Sequence, residues 1–204
     1  MADKITIDIF RLKTAEQLSK AFAEKESKLE VGSAAASAAS HASAIAARAA
    51  ALALEEQGEN ERLAYIERNL GIIRNYMVFL IDEDVKSRGP LKRAYKEGGQ
   101  MEIDACIQPA SCISAEIINM MGQCLDFLAE LCELCPKKLL HYLGEAAELA
   151  MGAIRSARIY ILDLAARSSD ETYVFVTRRE NEITLENCTK TYNMIIEKVM
   201  EALS

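Results

Sequence analysis

Ala34-Ala35-Ala36-Ser37-Ala38-Ala39-Ser40-His41-Ala42-Ser43-Ala44-Ile45-Ala46-Ala47-Arg48-Ala49-Ala50-Ala51-Leu52-Ala53-Leu54 is the stretch that decides the fold, with 13 Ala and serines at three-residue intervals. Alanine loses no side-chain entropy on entering a helix and is the best helix former. The run therefore predicts a helix whose small side chains let other helices approach closely. Gly32 and Ser33 precede it as a turn and N-cap. Its length would suit a membrane span. His41, Arg48 and the weak apolarity of Ala argue instead for burial within a bundle, and Glu55 and Glu56 follow at once.

The rest of the chain agrees. Its 204 residues include 31 Ala but only 3 Pro and 9 Gly, and half are apolar. That composition excludes disorder, collagen-like repeats and a β-rich sandwich. It predicts an all-α fold: one domain over residues 1–204, built of long antiparallel helices around the Ala-rich one. The 24 basic and 31 acidic side chains leave a net charge of −7. This lacks the positive field that a nucleic-acid partner requires, so none is expected. Asp3, Lys4 and Asp8 interrupt the N-terminus, which does not read as a secretion signal, and a cytoplasmic location is expected.

Ile5, Ile7 and Ile9 alternate as in a short strand or extended arm over Lys4 to Phe10, and Thr14 with Gln17 offers a capping box. Between Asn60 and Ser87, Leu63, Ile66, Leu70, Ile73, Met77 and Leu80 recur at spacings of three and four, which predicts a long helix ended by Gly89 and Pro90. A short helical piece from Leu91 to Glu97 and the pair Gly98-Gly99 lead to a segment with Pro109 near its start. Its stripe is Ile113, Ile117, Met120, Cys124, Phe127 and Leu131, and Pro136 closes it. Leu143, Ala147, Ala150, Ile154, Ala157, Ile161 and Leu164 mark the next helix. Asp170 opens the last, where Tyr173 to Thr177 alone would suit a strand but Ile183, Asn187, Met194, Ile195 and Val199 favour one helix.

The Asn60–Ser87 stripe, continued by four from Leu80, lands on Asp84. A carboxylate at a core position is costly unless paired, which marks Asp84 as a proton acceptor or a partner for a cationic ligand. The alternative places it in a solvated patch with Asp82, Glu83 and Lys86. Gly32 and Ser33, at a helix start, offer either backbone N–H groups to an anion or an ordinary cap. Arg155 and Arg158 could fork a ligand carboxylate or pair with helix-edge acids. Cys132 and Cys135 are spaced C-x-x-C before His141, but a zinc site lacks a second ligand pair, and no metal is expected. The six cysteines read as buried thiols. Ala38 and Lys138 stand three residues before His41 and His141, which excludes the Glu-x-x-His pairs of di-iron bundles.

Five runs in order carry a family likeness: Val31-Gly32-Ser33-Ala34-Ala35, Leu80-Ile81-Asp82-Glu83-Asp84, Gln108-Pro109, His141-Tyr142-Leu143-Gly144-Glu145-Ala146-Ala147 and Ser156-Ala157-Arg158-Ile159-Tyr160. Over nearly its whole length the chain resembles the cyclodeaminase/cyclohydrolase family, the C-terminal domain type of formiminotransferase-cyclodeaminase. The resemblance implies an all-α homodimer that acts on a reduced folate. It would hydrolyse 5,10-methenyltetrahydrofolate or cyclise 5-formiminotetrahydrofolate with release of ammonia, needing no cofactor beyond the tetrahydrofolate substrate.

The same resemblance makes Asp84 the catalytic acid/base group, because both reactions pass through a tetrahedral carbon between two nitrogens and a cationic amidine. It assigns substrate binding to Gly32, Ser33, Pro109, His141, Tyr142, Arg158 and Tyr160, with Arg158 meeting a folate carboxylate. Three polar elements depart from the family pattern. The glycine-rich turn has shrunk to Glu30-Val31-Gly32-Ser33, Tyr142 replaces an Asp and Tyr160 replaces an Asn. The alternative expectation is thus a catalytically inactive member that serves as a ligand-binding or scaffold subunit.

Overall fold

The computed structural model describes residues 9–204, so the strand suggested for Lys4 to Phe10 lies almost wholly outside the described residues. Where it can be followed, the chain enters a 3₁₀ turn at Phe10–Leu12 instead. Among the described residues there are α-helices and 3₁₀ turns and no strands. Thr14 forms the expected capping box with Gln17 and starts α1, Ala15–Ala23. The Ala-rich run lies in α2, Val31–Gln57, and Asn60 caps α3, Glu61–Ser87, by accepting from the Arg62 and Leu63 N–H groups.

A single residue, Arg88, separates α3 from α4, Gly89–Glu97, with Pro90 in the first turn where its missing N–H costs nothing. Next come α5, Gln100–Leu134, and α6, Leu140–Ala165, joined through Pro136 and a 3₁₀ turn. Asp170 caps α7, Glu171–Leu203, by accepting from the Tyr173 N–H. The Tyr173 to Thr177 run is helical, as its downstream periodicity requires.

Polar pairs at the helix ends fix the packing directions. Ser33 at the start of α2 meets Asp84 at the end of α3. Arg62 at the start of α3 pairs with Glu130 near the end of α5 at 2.7 Å, and Lys138 just before α6 pairs with Glu56 at the end of α2 at 2.8 Å. Each of these neighbours is therefore antiparallel. At the other end, Asp104 of α5 accepts from Ser168 Oγ at 3.1 Å, the Ser169 N–H at 2.9 Å and Ser169 Oγ, which ties the α6–α7 turn to the start of α5.

The α3 stripe from Leu63 to Leu80 is buried, and so is every residue of the α6 stripe. On α2 the buried alanines pack against α3, α5 and α6. In α5 the inward positions are Ile117, Cys124 and Leu131, while Ile113, Met120 and Phe127 are half-buried. The stripe of α7 is narrower than its sequence implies. Ile195 and Val199 are buried, but Ile183 and Met194 are exposed because α7 packs chiefly against α5 and α6 and turns its other side outward. Among the described residues, no helix is long and apolar enough to cross a membrane.

Candidate functional site

The α3 stripe does not leave the core after Leu80. Asp84 is 0 % exposed, which corrects the reading that places it in a solvated patch with Asp82, Glu83 and Lys86. Of those neighbours Asp82 is buried too, on another face, where it accepts from the Phe10 N–H at 2.7 Å. Only Glu83 and Lys86 make the exposed pair expected there, at 2.6 Å.

A buried carboxylate persists only if its charge is met. One further step of four along the chain reaches Arg88, itself 2 % exposed. Arg88 keeps helical backbone angles, so its guanidinium folds back over the preceding turn and donates to Asp84 Oδ1 from Nη2 at 3.0 Å and from Nε at 3.2 Å. The other oxygen, Oδ2, accepts from Ser33 Oγ at 2.7 Å. Both carboxylate oxygens are thus occupied by the chain's own donors.

Ser33 is therefore not the N-cap of α2, contrary to the sequence reading. The helix begins at Val31, with Glu30 in the extended cap position, and Gly32 and Ser33 lie in its first turn. The Ser33 hydroxyl finds a buried carboxylate 51 residues away, a charge-assisted bond roughly twice as strong as a neutral capping bond. Gly32 has a steric reason to be glycine: a Cβ there would fall 2.6 Å from Asp84 Cγ and closer still to Oδ1.

Around this core lies a cleft of about 210 Å³ whose lining includes Glu30, Arg88, Lys92, Tyr95, Tyr160 and Arg167. Glu30 bridges Arg88 and Lys92, the latter at 2.7 Å. The Tyr160 ring covers the Arg88 guanidinium, with Cζ 4.1 Å from the ring centroid, and burial pushes the Tyr160 hydroxyl up to about 12. The nearby carboxylates of Asp84 and Glu30 raise it further, while Arg88 opposes them. Arg167 lies over Tyr95 and pairs with Asp163 at 2.8 Å. Three cations and two carboxylates thus line the cleft, which suits an anionic or strongly polar ligand.

Of the residues expected to share a site, Gly32, Ser33, Asp84 and Tyr160 come together. The others do not. Tyr142 and Tyr160 lie on the same continuous helix, 18 residues and about 27 Å apart at 1.5 Å per residue. His141 stacks beside Tyr142 at 4.1 Å, and Arg48, well along α2, sits over the Tyr142 ring at 5.3 Å. Pro109 is exposed inside α5 and not at its entrance. Arg158, two residues from Tyr160, projects about 200° around α6 from it; its Nε is buried with no hydrogen-bond partner.

The cleft residues that the sequence reading missed are Arg88, Glu30, Lys92 and Tyr95. Arg88 carried a usable signal, as the cation four residues after the anomalous acid. Among the described residues no group of His, Cys, Asp and Glu could hold a metal ion. All six cysteines are free; Cys124 and Cys188 are buried, whereas Cys112 is exposed, against the expectation that all would be buried. Burial pushes Cys124 up to about 12 and Cys135 to about 11.

A profile of the formiminotransferase-cyclodeaminase family matches residues 14–182. Among solved structures, a formiminotetrahydrofolate cyclodeaminase from Thermotoga maritima superposes with a TM-score of 0.86 at 18 % identity, over 95 % of this chain and 98 % of that one. A search of curated proteins finds no match.

Proposed function

The chain belongs to the formiminotransferase-cyclodeaminase family, and on that footing we propose that it binds a reduced folate and acts on its one-carbon unit, with Asp84 as the acid/base group. The reaction is hydrolysis of 5,10-methenyltetrahydrofolate, or closure of 5-formiminotetrahydrofolate with loss of ammonia. The enzyme works as a cytoplasmic homodimer and requires no further cofactor. The observation that carries this reading is the joining of Gly32, Ser33 and Asp84, drawn from two family-like runs, directly behind Arg88, which lines a polar cleft.

The chemistry requires a carboxylate to offset a cationic amidine and to move a proton as the tetrahedral carbon forms and collapses. Asp84 does this once the Arg88 guanidinium leaves Oδ1 for the ligand, while Ser33 keeps Oδ2 oriented. Glu30, 35 % exposed and already bonded to Arg88, keeps hold of the displaced guanidinium without any change in the charge of the site. Mixing the protein with 5,10-methenyltetrahydrofolate and following loss of its chromophore tests the reading. A rate above buffer is expected, and a rate equal to buffer without folate binding refutes it.

The complete burial of Asp84 and its pairing with Arg88 favour one second reading, a catalytically silent member that binds a ligand or serves as a scaffold. That reading needs no movement of Arg88. It predicts no turnover, and an Asp84→Asn variant that differs from the parent in stability alone.

A further inference from the structure

A second cleft, of about 480 Å³, opens where the N-terminal turn and α1 lie over the α2–α3 seam. Its volume falls within the range of small-molecule sites. Leu18 and Phe22 of α1 and Ile81 of α3 supply an apolar wall, and Arg11, Lys13 and His41 supply the ionisable groups. Among the described residues no carboxylate lines it. In a chain with 31 acidic side chains and a net charge of −7, two cations and a histidine gathered with no carboxylate from the described residues is an unusual distribution.

The cations are held in place. Asp82, buried behind the turn, accepts from the Phe10 N–H at 2.7 Å and the Arg11 N–H at 3.4 Å, which fixes the backbone that presents both side chains. Arg11 Nε lies 3.5 Å from Asp82 Oδ2, so that carboxylate engages one edge of the guanidinium. Lys13, which also lines an adjoining cleft with Phe10, Glu24 and Glu26, has its ammonium 5.3 Å from the Phe10 ring centroid and forms no ion pair with a carboxylate among the described residues. Across the cleft, His41 Nδ1 is 2.7 Å from the Ser37 carbonyl oxygen. A carbonyl only accepts, so Nδ1 carries a proton, and the neutral tautomer that this selects has its lone pair on Nε2.

We propose that this cleft binds a small aromatic carboxylate bearing a hydroxyl or amino group, its carboxylate held by Lys13 and Arg11 and its donor group by His41 Nε2. The cleft is separate from the one at Arg88 and Tyr160, and the proposal stands whether or not the folate reading does.

Fluorescence titration of the full chain with 6-hydroxynaphthalene-2-carboxylate tests it, with the matching carboxamide as the uncharged control. Charge-assisted bonds predict that the carboxylate binds about tenfold more tightly than the amide, and that Lys13→Gln removes most of that difference. His41→Phe should weaken both probes, while Lys92→Gln, in the other cleft, leaves both unchanged. Lys13 and His41 are partly or fully open to solvent, so these variants should keep the parent helical circular dichroism. Equal affinity for the two probes, an unaffected Lys13→Gln variant, a loss on Lys92→Gln, or no saturable binding at millimolar probe would each overturn the assignment.

Discussion

Replacing Gly32 by Ala tests the Asp84 arrangement through the sign of a stability change. Helix propensity alone predicts stabilisation of about 1 kcal/mol, because Ala is a far better helix former than Gly. The structure predicts the opposite. The new Cβ would sit 2.6 Å from Asp84 Cγ, where ordinary contacts lie at 3.4–4 Å, so the carboxylate must retreat by about 1 Å. It has no room to do so freely, being 0 % exposed and held by Ser33 Oγ at 2.7 Å and by Arg88. Overpacking costs about 2 kcal/mol and weakening one charged hydrogen bond about another 2. After the propensity gain the net loss is about 3 kcal/mol. For a chain of this size that lowers the melting temperature by about 6–12 °C. Urea unfolding followed by circular dichroism provides the assay. A Gly32→Ala variant as stable as the parent, or more so, would refute the close approach of Asp84 to α2.

Four further outcomes follow from particular contacts and from burial. Tyr160→Phe should be close to neutral because it keeps the ring over Arg88, while Tyr160→Ala should cost about 2 kcal/mol in urea unfolding by exposing a desolvated cation–π contact. The Tyr160 hydroxyl is raised from 10.0 to about 12, so its contribution is full below pH 10 and is lost as pH rises toward about 12; Tyr160→Phe should flatten that alkaline loss of stability. Asp104 shows the reverse sign, since bonds from Ser169 hold it at about 2 against an ordinary 3.8. Its contribution is present above pH 3.8 and falls away as pH drops through about 2, a dependence that Asp104→Asn should remove from acid melting curves. In thiol labelling, exposed Cys112 should react first and Cys124, buried and raised to about 12, only on unfolding; early labelling of Cys124 would contradict the packing of α5.

The helices were largely legible because their apolar spacing is a direct consequence of burial. Leu63 to Leu80 on α3 and Leu143 to Leu164 on α6 follow the periodicity into the core residue by residue. Asp84 was legible for the same reason, as a polar residue on an apolar stripe. What the apolar spacing did not reveal was its partners, although the i,i+4 position of Arg88 offered a signal for one of them. Arg88 lies beyond the helix end, and Ser33 and Gly32 reach Asp84 only through the antiparallel packing of α2 on α3. A serine after a glycine before an alanine run has the local pattern of a cap, and nothing nearby in sequence announces a buried carboxylate 51 positions away. The grouping of His141 and Tyr142 with Tyr160 failed on a simple length. Residues on one straight helix are separated by its rise, which chain order alone does not display.

The most direct test of the central claim, that Asp84 is the working centre of a folate-type site, is the rate of 5,10-methenyltetrahydrofolate consumption by the parent chain and by Asp84→Asn under identical conditions. Circular dichroism and folate binding of both proteins serve as controls. The account predicts turnover in the parent and at least a hundredfold loss in a folded, folate-binding Asp84→Asn variant, on the order of the 10²–10⁴ contributed by a general acid/base group. A parent rate equal to buffer, or an Asp84→Asn variant as fast as the parent, would contradict it.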